Sequence, residues 1–430
     1  MNKQRKILVF IGAIFLGFVN NSLFYWGAFM PYVGSYFYNN DNSVNISDFV
    51  IVMPIGQLSN SVFSILVGYT IRYIYPYWIL LFGSSFTLVS MFFCSYITNP
   101  YFFCWAYGLT LGAIVSFMFL PLVWILWDYF PANKGKISGI VLAAGSFGPV
   151  IFNSIIANIV NPYNYEATTV EVDGQEKQKV FGTFVSERVP MTIRWLALIS
   201  LFFCSIGFIL MPHAKNPNNT EIQAKEVPTM TFIDMLKSPK AWNLFFLMGT
   251  SLNSNIYIQA MYKVLGMIYI NDDHFISYIG SAGFAVACIG RLTFGALYDR
   301  YSVKRVLTID LLMVIVFLIT FNISFSSKFL FALYFIMLSF GGTAIYSGIL
   351  LQGSSDFPRD KWIFTYVGIG LLPGFMVPYI FQRFITPIIG YFTTLLIISG
   401  ITGISVVQIL LHSEDTCSMK ISPEKEELIE

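Results

Sequence analysis

The sequence predicts an all-α integral membrane protein whose twelve transmembrane helices form two six-helix pseudo-repeats. Composition is the first reason: 56% of the 430 residues are hydrophobic, 11% are charged, and the mean hydropathy is +0.67, whereas soluble domains carry about 25% charged residues. The distribution of charge is the second reason. No charged residue lies in 73–127, and because one span needs about 20 apolar residues, this stretch must cross the membrane twice.

An internal repeat is the third reason. Residues 130–134 read Phe-Pro-Ala-Asn-Lys, residues 357–361 read Phe-Pro-Arg-Asp-Lys, and Gly68 and Gly295 each stand near the end of an apolar run. The displacements, 357 − 130 and 295 − 68, are both 227. Two mostly apolar repeats of about 200 residues are typical of a two-halved membrane transporter.

The helices follow from the apolar runs between turn signals. In the first half they are predicted near 7–38, 47–71, 77–97, 101–127, 136–160 and 191–212. In the second half they are predicted near 241–266, 274–298, 305–326, 328–351, 362–384 and 387–411. Thr98-Asn99-Pro100 separates helices 3 and 4, and we expect Thr386-Pro387 to separate helices 11 and 12. The chain thus divides into a half at 1–212, a polar linker at 213–240, a half at 241–411 and a tail at 412–430.

The loop charges predict the orientation of the chain. Most of the 25 Lys and Arg residues fall on the side that holds both termini. Three cations on the other side belong to the long loop 161–190, and long loops weigh little in this rule. We therefore expect a multi-pass protein with both termini cytoplasmic, in a plasma or an organelle membrane.

Several classes of function are disfavoured. The five cysteines are scattered and the three histidines isolated, so neither a disulfide framework nor a metal site is expected. The sequence contains no phosphate-binding loop of the Gly-x4-Gly-Lys type. We expect secondary or facilitated transport rather than an enzyme, with no cofactor and no nucleic-acid partner. The lipid bilayer is the expected surrounding of a monomer, and an ancillary membrane subunit remains open.

One loop carries a family signature. The hexapeptide Gly295-Ala296-Leu297-Tyr298-Asp299-Arg300, followed by Lys304-Arg305, resembles the cytoplasmic Gly-x-Leu-x-Asp-Arg signature of the major facilitator superfamily. Its first-half counterpart, Gly68–Arg72, has arginine in place of the aspartate. Within the superfamily the chain resembles oxalate/formate antiporters and monocarboxylate porters. That similarity is carried by Tyr25-Trp26-Gly27, Pro31, Tyr129-Phe130-Pro131, Lys134-Gly135, Gly139, Tyr262-Lys263 and Gly290-Arg291.

Four charged residues of the repeated loops are candidates for gating. Asp299, Arg300, Lys134 and Lys361 stand at helix ends, where charges and helix dipoles can hold the two halves together on the cytoplasmic side. The alternative is that these charges only fix topology. Because the first-half aspartate is lost, we expect an asymmetric latch.

Arg291 is the principal candidate for substrate binding. It precedes Asp299 by eight positions, so at 1.5 Å per residue it lies about 12 Å inside the membrane. An arginine at that depth costs roughly 2.5–3.5 kcal/mol and normally pairs or meets a charged ligand. The resemblance implies a clamp for the substrate carboxylate, matched by the guanidinium fork. The alternative is an ion pair with Asp310 of helix 9, which is also a candidate for gating.

Polar residues on four other helices complete the predicted site. These are Asn20, Asn21 and Tyr25 in helix 1, Gln57 and Asn60 in helix 2, Asn253, Asn255 and Gln259 in helix 7, and Tyr346 in helix 10. Helices 1 and 7 are duplication partners and line the cavity in the implied fold. Alternatively, the amides only bridge helices, as is common in membrane bundles.

Two departures from the resembled families narrow the expected function. Oxalate antiporters carry a lysine in helix 11, but 363–382 contains none, which argues against a dicarboxylate. Monocarboxylate porters couple to protons through an acid at the position of Ala287 and a lysine in helix 1, where this chain has no charge. The expected function is transport of a small organic anion, a monocarboxylate, by uniport, exchange, or coupling through Asp310 or through the substrate itself. The alternatives are an amino acid or other zwitterion transporter, and a transporter-fold subunit without transport activity.

Overall fold

The computed structural model describes residues 3–71, 73–130, 134–172, 176–211, 236–357 and 362–412. Twelve helical spans, which we number α1 to α12, run between two faces of the protein. The N-terminal half contains α1 (Lys3–Asn20 and Trp26–Asn40), α2 (Val52–Thr70), α3 (Pro76–Cys94), α4 (Pro100–Tyr129), α5 (Lys134–Val160) and α6 (Val189–Leu210). The fold class predicted from the sequence is confirmed.

The C-terminal half repeats this arrangement. It contains α7 (Pro239–Tyr269), α8 (Asp273–Arg300), α9 (Val303–Ile319), α10 (Lys328–Asp356), α11 (Trp362–Ile369 and Leu371–Ile380) and α12 (Thr386–Leu411). The first residues of α1 and the last of α12 lie on one face, which we call the terminal face. The other we call the far face. Residue 212, residues 213–235 of the predicted linker and residues 413–430 of the tail lie outside the described residues.

Length and hydropathy explain why most of these helices span a membrane. Among the described residues, eight helical stretches are individually long and apolar enough, and the bent pair in α1 makes nine. The other three follow from particular features. One of the eight, 366–411, contains both α11 and α12; α7 carries many polar residues; and α9 has only 17 residues.

Side-chain caps begin several helices where the sequence changes from polar to apolar. Asn99 accepts from the backbone N–H of Phe102 at 2.9 Å, and Pro100 follows at the first helical position. Asp272 likewise accepts from Phe275 N–H at 3.1 Å at the start of α8. Both arrangements satisfy donors that a helix start leaves unpaired.

The first helix is interrupted, although the sequence predicted one continuous helix over 7–38. A 3-10 turn at Ser22–Tyr25 joins its two parts, which are bent by 40°. The interruption follows Asn20-Asn21-Ser22, and such short polar side chains compete with helical hydrogen bonding. Two candidate site residues therefore lie at a bend.

The break that separates the last two spans lies inside the range Thr386–Leu411, at a different residue from the predicted Thr386-Pro387. The non-helical residue is Gly390, with φ +79° and ψ 163°. A glycine adopts positive φ without steric cost, whereas Pro387 fits the first turn of a helix. Thr386 and Thr394 hydroxyls lie 3.0 Å apart across the bend.

The predicted loop 161–190 contains regular structure that the sequence analysis missed. Two antiparallel strands, β1 (Thr168–Val172) and β2 (Glu176–Val180), form a hairpin. A helical turn at Thr183–Ser186 follows. Gln178 of β2 accepts from the N–H of Ile46 at 2.8 Å, and the N–H of Phe181 donates to Ser35 at 3.0 Å. The hairpin thus covers α1 and α2 at the far face.

Candidate functional site

The two halves approach closely at the middle of α1 and α7. A Cβ atom added to Gly27 would overlap the backbone carbonyl of Gln259. Only glycine permits this contact, so the pairing of α1 with α7 depends on a residue without a side chain.

A buried polar cluster joins the halves nearer the far face. Lys263 of α7 pairs with Asp273 of α8 at 2.8 Å and donates to Ser277 at 2.9 Å. Both members of the pair are almost completely buried, with side chains 0% and 3% exposed. The N-terminal half contributes two donors to the same carboxylate, the hydroxyl of Tyr32 and, at 2.9 Å, the amide of Asn161. We call these five residues the far-face cluster.

Further contacts surround the far-face cluster. Asn164 donates to Asp272 at 3.0 Å and accepts from the N–H of His274 at 2.9 Å. Lys328 lies 3.4 Å from the carboxylate of Asp272. Partial burial opposes ionisation of Asp272, but hydrogen bonds from Phe275 N–H, Asn164 and Lys328 lower its pKa below the usual value. The ionised carboxylate of Asp272, at the start of α8, thus adds a contact to Asn164 of the N-terminal half.

A second ion pair links α2 to α11 at the far face. Asp48, just before α2, lies 2.9 Å from Arg383, just after α11. Gln382 donates to Ser47 at 3.4 Å beside it. Because the side chains of Asp48 and Arg383 are 25% and 37% exposed, solvent screens this pair more than it screens Lys263 and Asp273.

Toward the terminal face, α2, α5, α8 and α11 each have a glycine beside open space. Gly68 in α2, Gly139 in α5, Gly295 in α8 and Gly368 in α11 each have open space at the Cβ position, with no described atom within 4 Å. The far-face contacts described above involve the other ends of these four helices, together with α1 and α7. The described residues thus leave open space beside Gly68, Gly139 and Gly295, and we call the region between these helix ends the cleft.

Arg291 lies where the contact between α5 and α8 gives way to the cleft. Its guanidinium donates to the backbone carbonyl of Leu142, which also accepts from Ser146 Oγ at 3.1 Å. One turn earlier on α8, Cys288 contacts the carbonyl of Ala143 at 3.4 Å. Arg291 remains partly exposed. A cation is thus held against a neutral carbonyl where α8 contacts α5.

The structure does not pair Arg291 with Asp310. Within the described chain, the groups that interact electrostatically with Arg291 are Cys288 and Tyr346, and its hydrogen bond goes to Leu142. Asp310 is 2% exposed and lies elsewhere, against Gly341 of α10. The alternative expectation of a structural ion pair is therefore not met in this conformation.

Three predicted site residues lie near Arg291. A Cβ atom on Gly145 of α5 would be 3.1 Å from Asn21 Nδ2 and 3.5 Å from Asn20 Nδ2. Gly145 is one turn from Leu142, the residue that Arg291 contacts. Tyr346 of α10 interacts with Arg291 from the other side. One region near Arg291 is thus formed by residues of four helices: the bend of α1, the middle of α5, α8 itself and α10.

The predicted amides of α2 and α7 have separate surroundings. Gln57 donates to the carbonyl of Gly368 at 3.2 Å and so bridges the halves, with Asn60 beside it at 3.5 Å. Asn255 packs on Gly342 and donates to Leu338 at 3.4 Å. Asn253 donates to the carbonyl of Thr250. The side-chain oxygens of Asn253 and Gln259 are buried without a hydrogen-bond partner among the described residues.

Tyr25 faces away from this place. Its hydroxyl lies 3.1 Å from that of Tyr107 and 3.9 Å from the sulfur of Met91. The side chain is fully buried within the N-terminal half. The structure therefore gives Tyr25 a packing position between α1, α3 and α4 rather than a position beside Arg291.

The predicted gating residues at the terminal face can be described only in part. Arg300 is exposed at the end of α8. The side chains of Lys134 and Asp299, and all of Lys361, lie outside the described residues. Their role as a latch remains a prediction, and the parted helices around Gly68 and Gly295 are the surfaces that such a latch would bring together.

Sequence reasoning missed the far-face cluster. Lys263 was visible as a charge inside a helix, and Asp273 as an acid at a helix start. They are 10 residues apart on either side of the turn between α7 and α8, a spacing that is compatible with an ion pair. Asn161 and Tyr32, by contrast, are 112 and 241 positions from Asp273, and no spacing in the sequence indicates those contacts.

Comparisons with known proteins agree with this architecture. A family model described as Major Facilitator Superfamily matches residues 9–362. The nucleoside transporter NupG is similar in structure, with a TM-score of 0.62 at 16% identity over 95% of this chain and 98% of that one. A bacterial homolog of the human lysosomal transporter Spinster, in an inward-facing and unoccupied conformation, gives 0.66 at 13% identity over 96% and 97%. A search of curated proteins returned no match.

Proposed function

Because the chain belongs to the major facilitator superfamily, whose members transport by alternating access, we propose that it carries a small organic anion of the monocarboxylate class. The site we assign lies at Arg291, with Asn20, Asn21 and Tyr346 around it. In this proposal the terminal face is cytoplasmic, so the described conformation is the inward-facing one.

One observation carries the proposal. Arg291 is partly exposed between α5 and α8, and the hydrogen-bond acceptor of its guanidinium in the described structure is a neutral backbone carbonyl. An arginine at membrane depth is costly and is normally neutralised by a partner or a charged ligand. A carboxylate entering the cleft can accept two parallel hydrogen bonds from the guanidinium fork, and so supplies the missing charge.

The spacing of cations favours one carboxylate over two. The other buried cation near the interface, Lys263, contacts Ser277, which precedes Arg291 by 14 positions on α8. At 1.5 Å per residue this is about 21 Å, beyond the length of a small dicarboxylate. Lys263 is also already paired with Asp273. A single carboxylate is therefore the match for Arg291.

A zwitterion is the second candidate, and a specific observation favours it. The amide oxygens of Asn20, Asn253 and Gln259 are buried without hydrogen-bond partners in the part of the chain described here. Of these, the oxygen of Asn20, which lies beside Gly145 near Arg291, could accept from an ammonium group while Arg291 holds the carboxylate. An amino acid would then use both halves of the protein.

Counterflow in proteoliposomes tests these candidates. Vesicles that contain the protein and are loaded with unlabelled lactate, pyruvate, acetate or formate should take up the same labelled anion. The uptake should exceed that of identically loaded vesicles without the protein. Excess amino acid should compete only if the zwitterion assignment is right. A nucleoside serves as the neutral competitor, because NupG is named for nucleosides but its 16% identity supports the fold alone.

The counterflow measurement also tests the alternative that the chain is a transporter-fold subunit without transport activity. Counterflow of none of these anions, together with stable co-purification in a larger membrane complex, would overturn the proposed function.

The topology has its own test. Tags at both termini should resist external protease in sealed cells, whereas a tag near Asn45, at the far face, should be cleaved.

A further inference from the structure

Asp310 of α9 is a second buried charge-bearing group that the substrate site does not use. It is 2% exposed, and both carboxyl oxygens lack a hydrogen-bond partner among the described residues. We propose that Asp310 binds a proton and couples transport to the proton gradient; this inference rests on the proposed function. The site differs from the route expected for monocarboxylate porters, which this chain lacks at Ala287 and in α1.

The surroundings of Asp310 favour its neutral form. Asp310, Met313 and Val314 of α9 all face Gly341 of α10, where an added Cβ atom would lie 2.9 Å from Asp310 Oδ1. Tyr298 of α8 is the titratable group that the described chain brings into electrostatic range, and its hydroxyl donates to the carbonyl of Ala344 at 2.8 Å. A carboxylate in such apolar packing would lose its hydration without compensation. The conformation described here therefore holds the protonated acid.

The same surroundings favour a proton over a metal cation. Hard cations take several oxygen ligands at once. Asp310 faces Gly341 of α10 beside Met313 and Val314 of its own helix, and no described group donates or accepts a hydrogen bond at its oxygens. A proton needs only one carboxyl oxygen, so the site is sufficient for a proton.

A short segment of α10 joins Asp310 to the substrate site. Gly341 touches Asp310, and Gly342 touches Asn255 of α7. Thr343 packs on Gly290, the neighbour of Arg291, and Tyr346 interacts with Arg291 itself. Because interiors are close-packed, a change in packing at Gly341 must be accommodated within two turns by residues that contact the substrate site.

These contacts define the coupling step. When the acid releases its proton to water, the carboxylate requires hydration, so α9 and α10 must separate near Gly341. The conformation described here is then disfavoured, and α10 shifts against Arg291. One proton and one monocarboxylate crossing together carry no net charge. Transport by the native protein should therefore respond to a pH gradient and not to membrane potential.

Two measurements on the full-length protein test the inference. In proteoliposomes with a trapped pH dye, an inward proton gradient should accelerate uptake of the labelled monocarboxylates used above and acidify the lumen. Asp310→Asn, which keeps the shape of the side chain, should retain counterflow but lose at least tenfold of the gradient-driven acceleration. Its residual uptake should become sensitive to an imposed potential. Asp356→Asn is the matched control, because Asp356 is a buried carboxylate paired with His412 at 2.9 Å, and it should keep the acceleration.

The second measurement needs no transport. Infrared difference spectra between acidic and alkaline pH should contain a protonated-carboxyl band that Asp310→Asn removes and Asp356→Asn retains. Proton-driven acceleration that survives in Asp310→Asn, or a carboxyl band that is unchanged in it, would overturn the inference. Absence of counterflow in the native protein, with the band assigned to Asp310, would instead overturn the monocarboxylate proposal and leave the proton site standing.

Discussion

The contacts between the halves differ sharply between the far face and the terminal face. At the far face, Tyr32 and Asn161 of one half donate to Asp273 of the other, around a fully buried lysine. At the terminal face, Gly68 of α2 and Gly295 of α8 meet no described atom within 4 Å of the Cβ position. Among the described residues, the far face therefore carries a buried ion pair with donors from both halves, whereas the terminal-face ends of α2 and α8 leave open space.

This difference indicates how the protein can change conformation at low cost. Alternating access needs two arrangements of similar free energy, separated by a few kcal/mol. A polar cluster at one face can be exchanged for a charged latch at the other, without rebuilding the apolar packing within either half. The following substitutions test that interpretation, from the largest expected effect to the smallest.

The largest effect is expected at Arg291, between the closed and the open region. Arg291→Ala should abolish counterflow with membrane expression maintained. Arg291→Lys keeps the charge but loses the fork, and a hydrogen bond to a charged group is worth about 1.5–3 kcal/mol, so transport should fall roughly 10- to 100-fold. Counterflow per amount of inserted protein is the measurement. Recovery of transport in Arg291→Ala combined with Asp310→Ala would show instead that the two residues form a structural pair.

The next effect is expected in the far-face cluster. Asp273→Asn leaves Lys263 buried without its anion, and breaking such a pair costs about 3–5 kcal/mol. Thermal unfolding in detergent should show the loss. Adding Lys263→Met should recover most of the stability, because the buried charge is then gone. The double variant should still favour an open far face, measured by thiol labelling of a cysteine placed at position 35; unchanged labelling would contradict the role of the cluster.

Two glycine substitutions compare the faces directly. Gly27→Ala forces a Cβ into the carbonyl of Gln259, and such overpacking costs about 1–3 kcal/mol, so the population of the described conformation should fall. Gly295→Ala meets open space in this conformation and should leave that population unchanged or raise it. Distances between spin labels at the two faces report both variants. Shifts in the same direction would refute the contrast between the faces.

The smallest effect is expected at the partly exposed pair Asp48 and Arg383. Asp48→Asn should change the conformational balance by about 0–1 kcal/mol. The effect should shrink further in high salt, because screening weakens exposed pairs more than buried ones. The same labels, read at low and high ionic strength, give the answer. An effect as large as that of Asp273→Asn would mean that burial does not distinguish the two pairs.

The sequence predicted the helices well because each is dictated locally. Apolar runs of the required length fix α3, α4 and α6, and turn residues such as Asn99-Pro100 begin α4. Local signals can still mislead. Pro387 was a reasonable helix boundary, but positive φ selects Gly390 for the break, and the polar run at Asn20 interrupts a helix that hydropathy alone predicts to be continuous.

The site was less accessible to sequence reasoning because it is assembled from distant residues. Arg291 could be chosen for its cost in a membrane, but its contact with Leu142 lies 149 positions away. Tyr25 and Asn21 are four residues apart, yet only Asn21 lies near the segment that Arg291 contacts, because the 3-10 turn changes the direction of the side chains. The assigned binding roles remain predictions.

The continuity of α8 has a mechanical consequence. Asp273 stands in its first turn and Arg291 follows 18 positions later, with helical backbone throughout, which is about 27 Å along one stiff rod. A ligand that draws Arg291 away from Leu142 applies a force to the same rod that Tyr32 and Asn161 anchor at the other end. A few ångströms of tilt in α8 would move both of its ends at once. Binding near Arg291 would then weaken the hydrogen bonds of Tyr32 and Asn161 to Asp273, although the substrate contacts none of these three residues.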